Sequence, residues 1–125
     1  MRLLLDTHVL LWWLADDARL GVEARTAIAD GGAHVAVSAA SAWEIAIKQR
    51  LGRLRAPDDL AAQLAQHRFV PLAVTVPHAL RAGALPPVHN DPFDRMLVAQ
   101  AELEGLTVVT RDASIGRYGV PILAA

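Results

Sequence analysis

The stretch RLLLDTHVLLWWL (residues 2–14) sets the pattern that the rest of the chain follows. A short apolar run ends at Asp6, and leucines then recur at helical spacing. These features predict a buried strand followed directly by a helix that begins near Thr7. The same order, a short apolar run and then a periodic segment, returns several times along the sequence. That order is typical of β–α units in parallel sheets.

Four further apolar runs are predicted strands: AHVAVS (33–38), RFVPLA (68–73), LTVVT (106–110) and GVPIL (119–123). Prolines in the second and fourth of these runs place them at sheet edges. Helical patterns cover residues 21–32, 42–52, 57–67, 75–85 and 89–105. Because the strands are continuous apolar runs, both faces of the sheet should be covered by helices. The sequence therefore predicts an α/β fold, a three-layer α/β/α sandwich with a mostly parallel central sheet.

Local signals predict which residues begin these helices and which face inward. In the second helix, we expect Val22, Ala24 and Ile28 to face the core. Short polar side chains before a helix accept hydrogen bonds from its first free N–H groups. The predicted caps of this kind are Ser38 or Ser41, Asp58 and Thr75.

The length and composition describe one folded domain that spans residues 1–125. A net charge of -1 argues against binding nucleic acid through an overall positive field, although it leaves room for a local basic patch. The absence of cysteine excludes disulfides, thiolate metal sites and cysteine nucleophiles. The apolar run near the N-terminus is too short to span a bilayer, so we expect a cytoplasmic protein with no membrane partner.

Four acidic residues lie where a parallel sheet places its ligand site. Asp6 ends the first strand, and Glu44 falls within the first two turns of the helix after the second strand. Asp94 lies in the first turn of the helix that leads to LTVVT, and Asp112 follows that strand. Ligands of open parallel sheets sit beyond the carboxyl ends of the strands. We therefore predict that the four carboxylates converge at one edge of the sheet.

Each acid also has a purely structural interpretation. Asp6 could cap a helix, Glu44 could face solvent, and Asp112 could belong to a turn. For the pair in NDPFD the local rules divide the roles. Asp91 before a proline is a favoured helix opening, so we interpret it as a cap. We interpret Asp94 as a metal ligand rather than a capping residue. At the third position of a helix, the short aspartate side chain reaches the backbone N–H of the N-cap less well than glutamate does.

Carboxylates that converge repel one another unless a cation compensates them. Mg²⁺ or Mn²⁺ prefers carboxylate and water oxygens, whereas the lack of cysteine and of spaced histidines makes zinc a poor candidate. A divalent cation held in this way could activate a water molecule and stabilise charge on a phosphodiester. The predicted cofactor is therefore Mg²⁺, with Mn²⁺ as a substitute.

Other polar and aromatic residues are expected to be structural. The five histidines are scattered without ligand spacing, and Trp12, Trp13 and Trp43 are expected in the core or against a partner. A basic run such as KQRLGRLR (residues 48–55) usually forms a surface that faces solvent. If the cavity takes RNA, this run together with Arg95 or Arg111 would supply the phosphate contacts.

Four segments, LLLDTHVLLWWL, VSAASAWEIAIKQRLGRL, HNDPFDRMLVAQA and LTVVTRD, occur in an order and spacing that cover nearly the whole chain. Together they resemble the PIN-domain family, specifically the VapC-type toxins of bacterial type II toxin–antitoxin pairs. The resemblance implies a Mg²⁺- or Mn²⁺-dependent endoribonuclease that forms a homodimer and is inhibited by a VapB-like antitoxin. It maps the acidic quartet of the family onto Asp6, Glu44, Asp94 and Asp112, both as metal ligands and as catalytic residues. It also matches Thr110 to a hydroxyl beside the fourth acid and Ser38 to a polar residue of the site.

Two other functions fit parts of the sequence. A phosphotransfer domain also places an aspartate after its first strand, but it needs a lysine near the end of a later strand. The only lysine, Lys48, lies inside a predicted helix, which disfavours that alternative. A binding module without catalytic activity, in which the acids are only caps, remains open at this point.

Overall fold

The computed structural model describes all 125 residues, and its centre is a sheet of five strands that all run parallel. The strands are β1 (Arg2–Leu5), β2 (His34–Ser38), β3 (Val70–Leu72), β4 (Thr107–Thr110) and β5 (Ile122–Ala124). Their order across the sheet is β3-β2-β1-β4-β5. The predicted edge strands with prolines, β3 and β5, are thus the two edges, and β1 lies at the centre. Its neighbours come from distant parts of the chain, since Leu4 pairs with both Ala36 and Val108.

Seven helices connect and cover the strands. They are α1 (Thr7–Leu14), α2 (Val22–Ala29), α3 (Ala39–Arg50), α4 (Leu60–Gln66), α5 (Val76–Ala84), α6 (Pro92–Glu104) and α7 (Ala113–Gly116). The short helix α7 lies within a segment for which the sequence predicted no helix. No helix combines the length with the apolar character that crossing a membrane would require.

The sheet buries apolar side chains on both faces, as the continuous apolar strands predict. Leu3 and Leu5 of β1 pack with residues of α1 to α4 on one face. Leu4 points to the other face, where it packs with residues of α6 and α7. The predicted three-layer α/β/α sandwich is therefore confirmed, with one apolar core on each side of the sheet.

Most of the predicted helix signals are confirmed, and two are wrong. Val22 is 82% exposed, because it lies two residues before inward-facing Ala24 and so points to the opposite side of α2. The N-cap of α4 is Asp59 rather than Asp58. The side chain of Asp58 instead accepts a hydrogen bond from Gln49 at 3.3 Å, which ties it to the end of α3. The predicted caps that are confirmed by side-chain hydrogen bonds are Ser38 and Thr75.

Candidate active site

A cavity of about 420 Å³ opens at the carboxyl ends of the central strands. We call it the acid cavity, because its lining includes five carboxyl side chains and only two permanently charged cations, Lys48 and Arg111. The structure brings together all four acids that the sequence singled out, with the capping residue Asp91 as the fifth. These five acids are Asp6, Glu44, Asp91, Asp94 and Asp112.

Asp6 is positioned by the turn from β1 into α1. One carboxylate oxygen, Oδ1, accepts the backbone N–H of Val9 at 3.0 Å and so caps α1. The other, Oδ2, accepts the hydroxyl of Thr110 at 2.5 Å. The residue is only 8% exposed, and this burial raises the pKa of the Asp6 carboxyl against the opposing hydrogen bonds. Asp6 is therefore both a cap and a buried acid aimed into the cavity.

Glu44 enters the cavity from the second turn of α3, and it is 5% exposed rather than solvated. Its Oε1 accepts the hydroxyl of Thr7 at 2.6 Å, and its Oε2 pairs with the ammonium of Lys48, also at 2.6 Å. The hydrogen bond that Lys48 donates to Glu44 is the main cause that raises the pKa of Lys48. Both carboxylate oxygens of this glutamate are thus held by residues that line the cavity.

Asp91 and Asp94 divide their roles much as the sequence predicted. Asp91 is the N-cap of α6 and accepts the backbone N–H groups of Phe93 and Asp94 at 2.8 and 3.2 Å. Burial, followed by the negative charge of Asp91, raises the pKa of Asp94 to about 7. Asp91 nevertheless also lines the cavity, so its charge acts directly on Asp94.

Asp112 is the most solvent-accessible of the four predicted acids, with a side chain that is 42% exposed. Its Oδ1 caps α7 by accepting the backbone N–H and the hydroxyl of Ser114 at 2.9 and 2.6 Å. These hydrogen bonds are the main reason that the pKa of Asp112 lies below its usual value. Its backbone N–H donates to the Thr110 hydroxyl at 3.0 Å, and that hydroxyl in turn donates to Asp6, which links the ends of β1 and β4.

His89 is a residue whose place in the site the sequence reasoning missed. Its Nε2 lies 3.1 Å from a carboxylate oxygen of Asp112 and 3.3 Å from one of Asp94. Its Nδ1 accepts the backbone N–H of Asp91 at 3.1 Å, so the proton of a neutral ring belongs on Nε2. The ring therefore donates towards the two acids. The only signal in the sequence was its position two residues before a capping aspartate.

The predicted basic contacts separate into three groups. Lys48 and Arg111 reach the acid cavity, and the Arg111 guanidinium also lies 4.5 Å from the centre of the Trp12 ring. Arg95 does not, since its guanidinium donates to backbone carbonyl oxygens of the segment before α6. The remaining cations of the basic run, Arg50, Arg53 and Arg55, are exposed and do not line the cavity.

The two hydroxyls matched by the family resemblance behave differently. Thr110 bridges Asp6 and the backbone of Asp112 and so belongs to the site. Ser38 caps α3 by accepting the N–H of Ala40 and does not line the acid cavity. The expectation that Ser38 lines the site is therefore wrong, because capping turns its hydroxyl towards the helix.

The donor set of the cavity suits a hard divalent cation. Buried carboxylates with too few cations carry an electrostatic cost that an oxygen-seeking ion relieves. Burial raises the pKa of both Asp6 and Asp94, and the charge of Asp91 adds to the rise for Asp94, so a cation bound to these oxygens would offset the cost of keeping them charged. Asp94, Asp112 and His89 also present ligand atoms that all lie within 4.8 Å of one another.

Comparisons with known proteins agree with this geometry. Residues 3–121 match the PIN domain family. Ribonuclease VapC22 of Mycobacterium tuberculosis (strain ATCC 25618 / H37Rv) is 35% identical over 123 residues, which cover 94% of this chain and 92% of the relative.

Two solved structures share the fold at low sequence identity. VapBC2 from Rickettsia felis, bound to a DNA fragment from its promoter, matches with a TM-score of 0.71 at 13% identity and covers 100% of this chain and 99% of its own. A toxin–antitoxin complex from Klebsiella pneumoniae matches with a TM-score of 0.66 at 22% identity and covers 96% and 94% of the two chains. The family match over residues 3–121 and the 35% identity to a VapC protein show that this chain belongs to the PIN-domain family, as a protein of the VapC type.

Proposed function

We propose that this protein is a divalent-cation-dependent endoribonuclease and the toxin of a type II toxin–antitoxin pair. The observation that carries the proposal is the convergence of Asp6, Glu44, Asp94 and Asp112 on one cavity with few compensating cations. The name of the relative, Ribonuclease VapC22, supports RNA as the substrate class. We assign the four acids as the metal-binding and catalytic residues, with Mg²⁺ as the cofactor and Mn²⁺ as its substitute.

The chain's own residues hold the ligand oxygens in place. Thr110 and the N–H of Val9 fix both oxygens of Asp6, and Thr7 fixes one oxygen of Glu44. Burial and the charge of Asp91 raise the pKa of Asp94 to about 7 in the metal-free protein, and a bound cation would favour its charged form. When bound, Mg²⁺ supplies Lewis-acid stabilisation of the phosphoryl oxygens and makes water a better nucleophile.

A cleavage assay with purified protein tests this proposal. We expect cleavage of cellular RNA in Mg²⁺ or Mn²⁺, its loss in excess EDTA, and its loss in Asp6→Asn. Sequencing the new RNA 5′ ends would then identify the cut sites. A protein that binds no divalent cation and cleaves no RNA would favour the binding module. Lys48 lies inside α3, and the PIN-domain match further disfavours a phosphotransfer domain.

We also propose that the protein forms a homodimer and binds a VapB-like antitoxin. Large apolar side chains that no part of the chain covers support such partners, for example Trp43, Val76 and Leu80 at 65%, 71% and 70% exposure. Light scattering of the purified protein tests the dimer. Co-purification with the product of a small neighbouring reading frame, and loss of RNA cleavage in that complex, tests the antitoxin.

A further inference from the structure

Lys48 is the cation of the acid cavity that is free to change partners. Its ammonium is held by a single side-chain hydrogen bond, to Oε2 of Glu44 at 2.6 Å. The other permanently charged cation, Arg111, is anchored by the backbone oxygens of Ala125 and Arg19 and by the Trp12 ring. A flexible four-carbon stem allows the lysine to move where the anchored arginine cannot.

Glu44 links the position of Lys48 to cation binding. Its Oε1 accepts the neutral Thr7 hydroxyl, whereas the partner of its Oε2 is the cation Lys48, so a divalent cation that binds Oε2 competes with this lysine. Two cations cannot share that oxygen without strong repulsion. Cation binding at Glu44 therefore releases Lys48 into a cavity where Asp91 and Asp94 still attract it.

The Lys48 side chain lines the cavity that a negatively charged substrate would enter. Of the cations in the run of residues 48–55, Lys48 alone lines the cavity. Ammonium groups are common phosphate contacts in nucleic-acid recognition. The proposed function supplies such a phosphate, in the RNA backbone.

We propose that Lys48 is a metal-gated phosphate contact: it pairs with Glu44 in the metal-free protein and binds an RNA phosphate once Glu44 has turned to a divalent cation. This proposal rests on the proposed nuclease function and adds a substrate-binding residue that the acidic quartet does not contain. It also gives Lys48 opposite effects on two affinities. The lysine lowers the affinity for the metal ion, because it competes for Glu44, and it raises the affinity for RNA, because it contacts a phosphate.

Lys48→Met tests both effects, because methionine keeps most of the length of the side chain and removes its charge. Binding of Mn²⁺ is titrated by electron paramagnetic resonance of the free ion. Binding of a short fluorescein-labelled single-stranded RNA of mixed sequence is measured by anisotropy, once in EDTA and once in Ca²⁺, which takes the same oxygen ligands. Arg50→Met is the matched control, since Arg50 lies two residues further along α3, exposed and outside the cavity.

We expect Lys48→Met to bind Mn²⁺ more tightly than the wild type, by several-fold. In Ca²⁺ it should bind the RNA about tenfold more weakly, the size of one lost charge-assisted contact. In EDTA the loss should be under about twofold, because the wild-type lysine is then held by Glu44. Lys48→Arg should keep most of the RNA affinity, and Arg50→Met should change each affinity by less than about twofold.

Weaker Mn²⁺ binding by Lys48→Met would overturn the proposal, since it would mean that the lysine merely holds Glu44 in place for the metal. An RNA affinity that is unchanged, or that falls equally in EDTA and Ca²⁺, would also overturn it. If the methionine variant does not fold, Lys48→Gln gives the same pair of measurements, because glutamine also removes the charge and keeps a polar end. Failure of the proposed function looks different, because the wild type itself would then bind no Mn²⁺ and cleave no RNA.

Discussion

Asp6, Asp91 and Asp112 each cap a helix and also line the acid cavity. A carboxylate has two oxygens. In Asp6 and Asp112 one oxygen accepts a backbone N–H of the helix, and the other contacts a different side chain. Capping fixes the orientation of the side chain, and the carboxylate keeps its negative charge. The structural and chemical interpretations of these acids are therefore compatible rather than exclusive.

Asp94 differs from these three residues because it is not a cap. We expect Asp94→Asn to abolish RNA cleavage, since the amide loses the charge that a hard cation needs. Asp91→Asn should lower cleavage far less, by about tenfold or under, because asparagine also caps helices well. Cleavage rates and circular dichroism spectra of both variants check this. Equal loss in the two variants would show that Asp91 is itself a ligand.

The raised pKa of Asp94 also predicts how stability depends on pH. An unfolded aspartate loses its proton near pH 4, whereas the folded Asp94 keeps its proton up to about 7. Between these values the folded state binds more protons, so the stability contributed by protonated Asp94 falls as pH rises and stays low above the folded pKa. The full effect is on the order of 4 kcal/mol, reduced by the partial exposure of the Asp94 side chain to solvent.

Asp94→Asn removes this ionisation, so its advantage in stability over the wild type should grow with pH. Thermal melts in EDTA at about pH 5 and about pH 8 measure that difference. Asp91→Asn, melted in parallel, controls for the neighbouring charge. A difference between Asp94→Asn and wild type that stays constant across this range would contradict the raised pKa.

At the scale of elements, the segment between α5 and α6 is held by one side chain of α6. The Arg95 guanidinium donates to the carbonyl oxygens of Ala82, Leu85 and Pro86 at 2.9, 2.8 and 3.1 Å. It thereby satisfies acceptors at the end of α5 and shapes the loop that carries His89. This is the structural reason why Arg95 is not a phosphate contact.

Arg95→Met should therefore loosen this loop and cost about 2–4 kcal/mol of stability, since several charge-assisted hydrogen bonds are lost. Chemical denaturation measures the cost, and hydrogen exchange should be faster in residues 83–91. Arg81→Met provides the control, because Arg81 pairs with Glu102 on the surface and should contribute under about 1 kcal/mol. Equal destabilisation by the two variants would contradict the anchoring role.

At the scale of the whole molecule, the acid cavity joins parts of the chain that are far apart in sequence. A cation held by Asp6, Glu44 and Asp94 would link the ends of β1, α3 and α6. We therefore expect Mn²⁺ to raise the melting temperature by several degrees, because binding at about 100 times Kd adds about 2.7 kcal/mol. Differential scanning fluorimetry checks this, with Asp6→Asn expected to lose the shift and the exposed Glu23→Gln expected to keep it. No shift in the wild type would contradict the proposed metal site.

The sheet, and the convergence of the four acids at its edge, could be predicted from the sequence because both depend on patterns that are local in the chain. Apolar runs identify strands, and an acid just after a strand must lie near the carboxyl edge of a parallel sheet. The contacts of His89 and Lys48 could not be predicted in this way. His89 depends on a loop that Arg95 shapes, and Lys48 depends on the direction in which the last turn of α3 faces. Such features follow from packing rather than from residue type and spacing.

The central position of β1 has a consequence for the synthesis of the protein. The ribosome makes Asp6 about a hundred residues before its partner Thr110 and the strand that holds Thr110 beside it. Asp112 follows later still. A nascent chain that has not passed this point has an incomplete acid cavity and should be inactive. The proposed nuclease activity would therefore begin only after β4 and Asp112 have emerged and folded, and the proposed antitoxin would need to act only from that point.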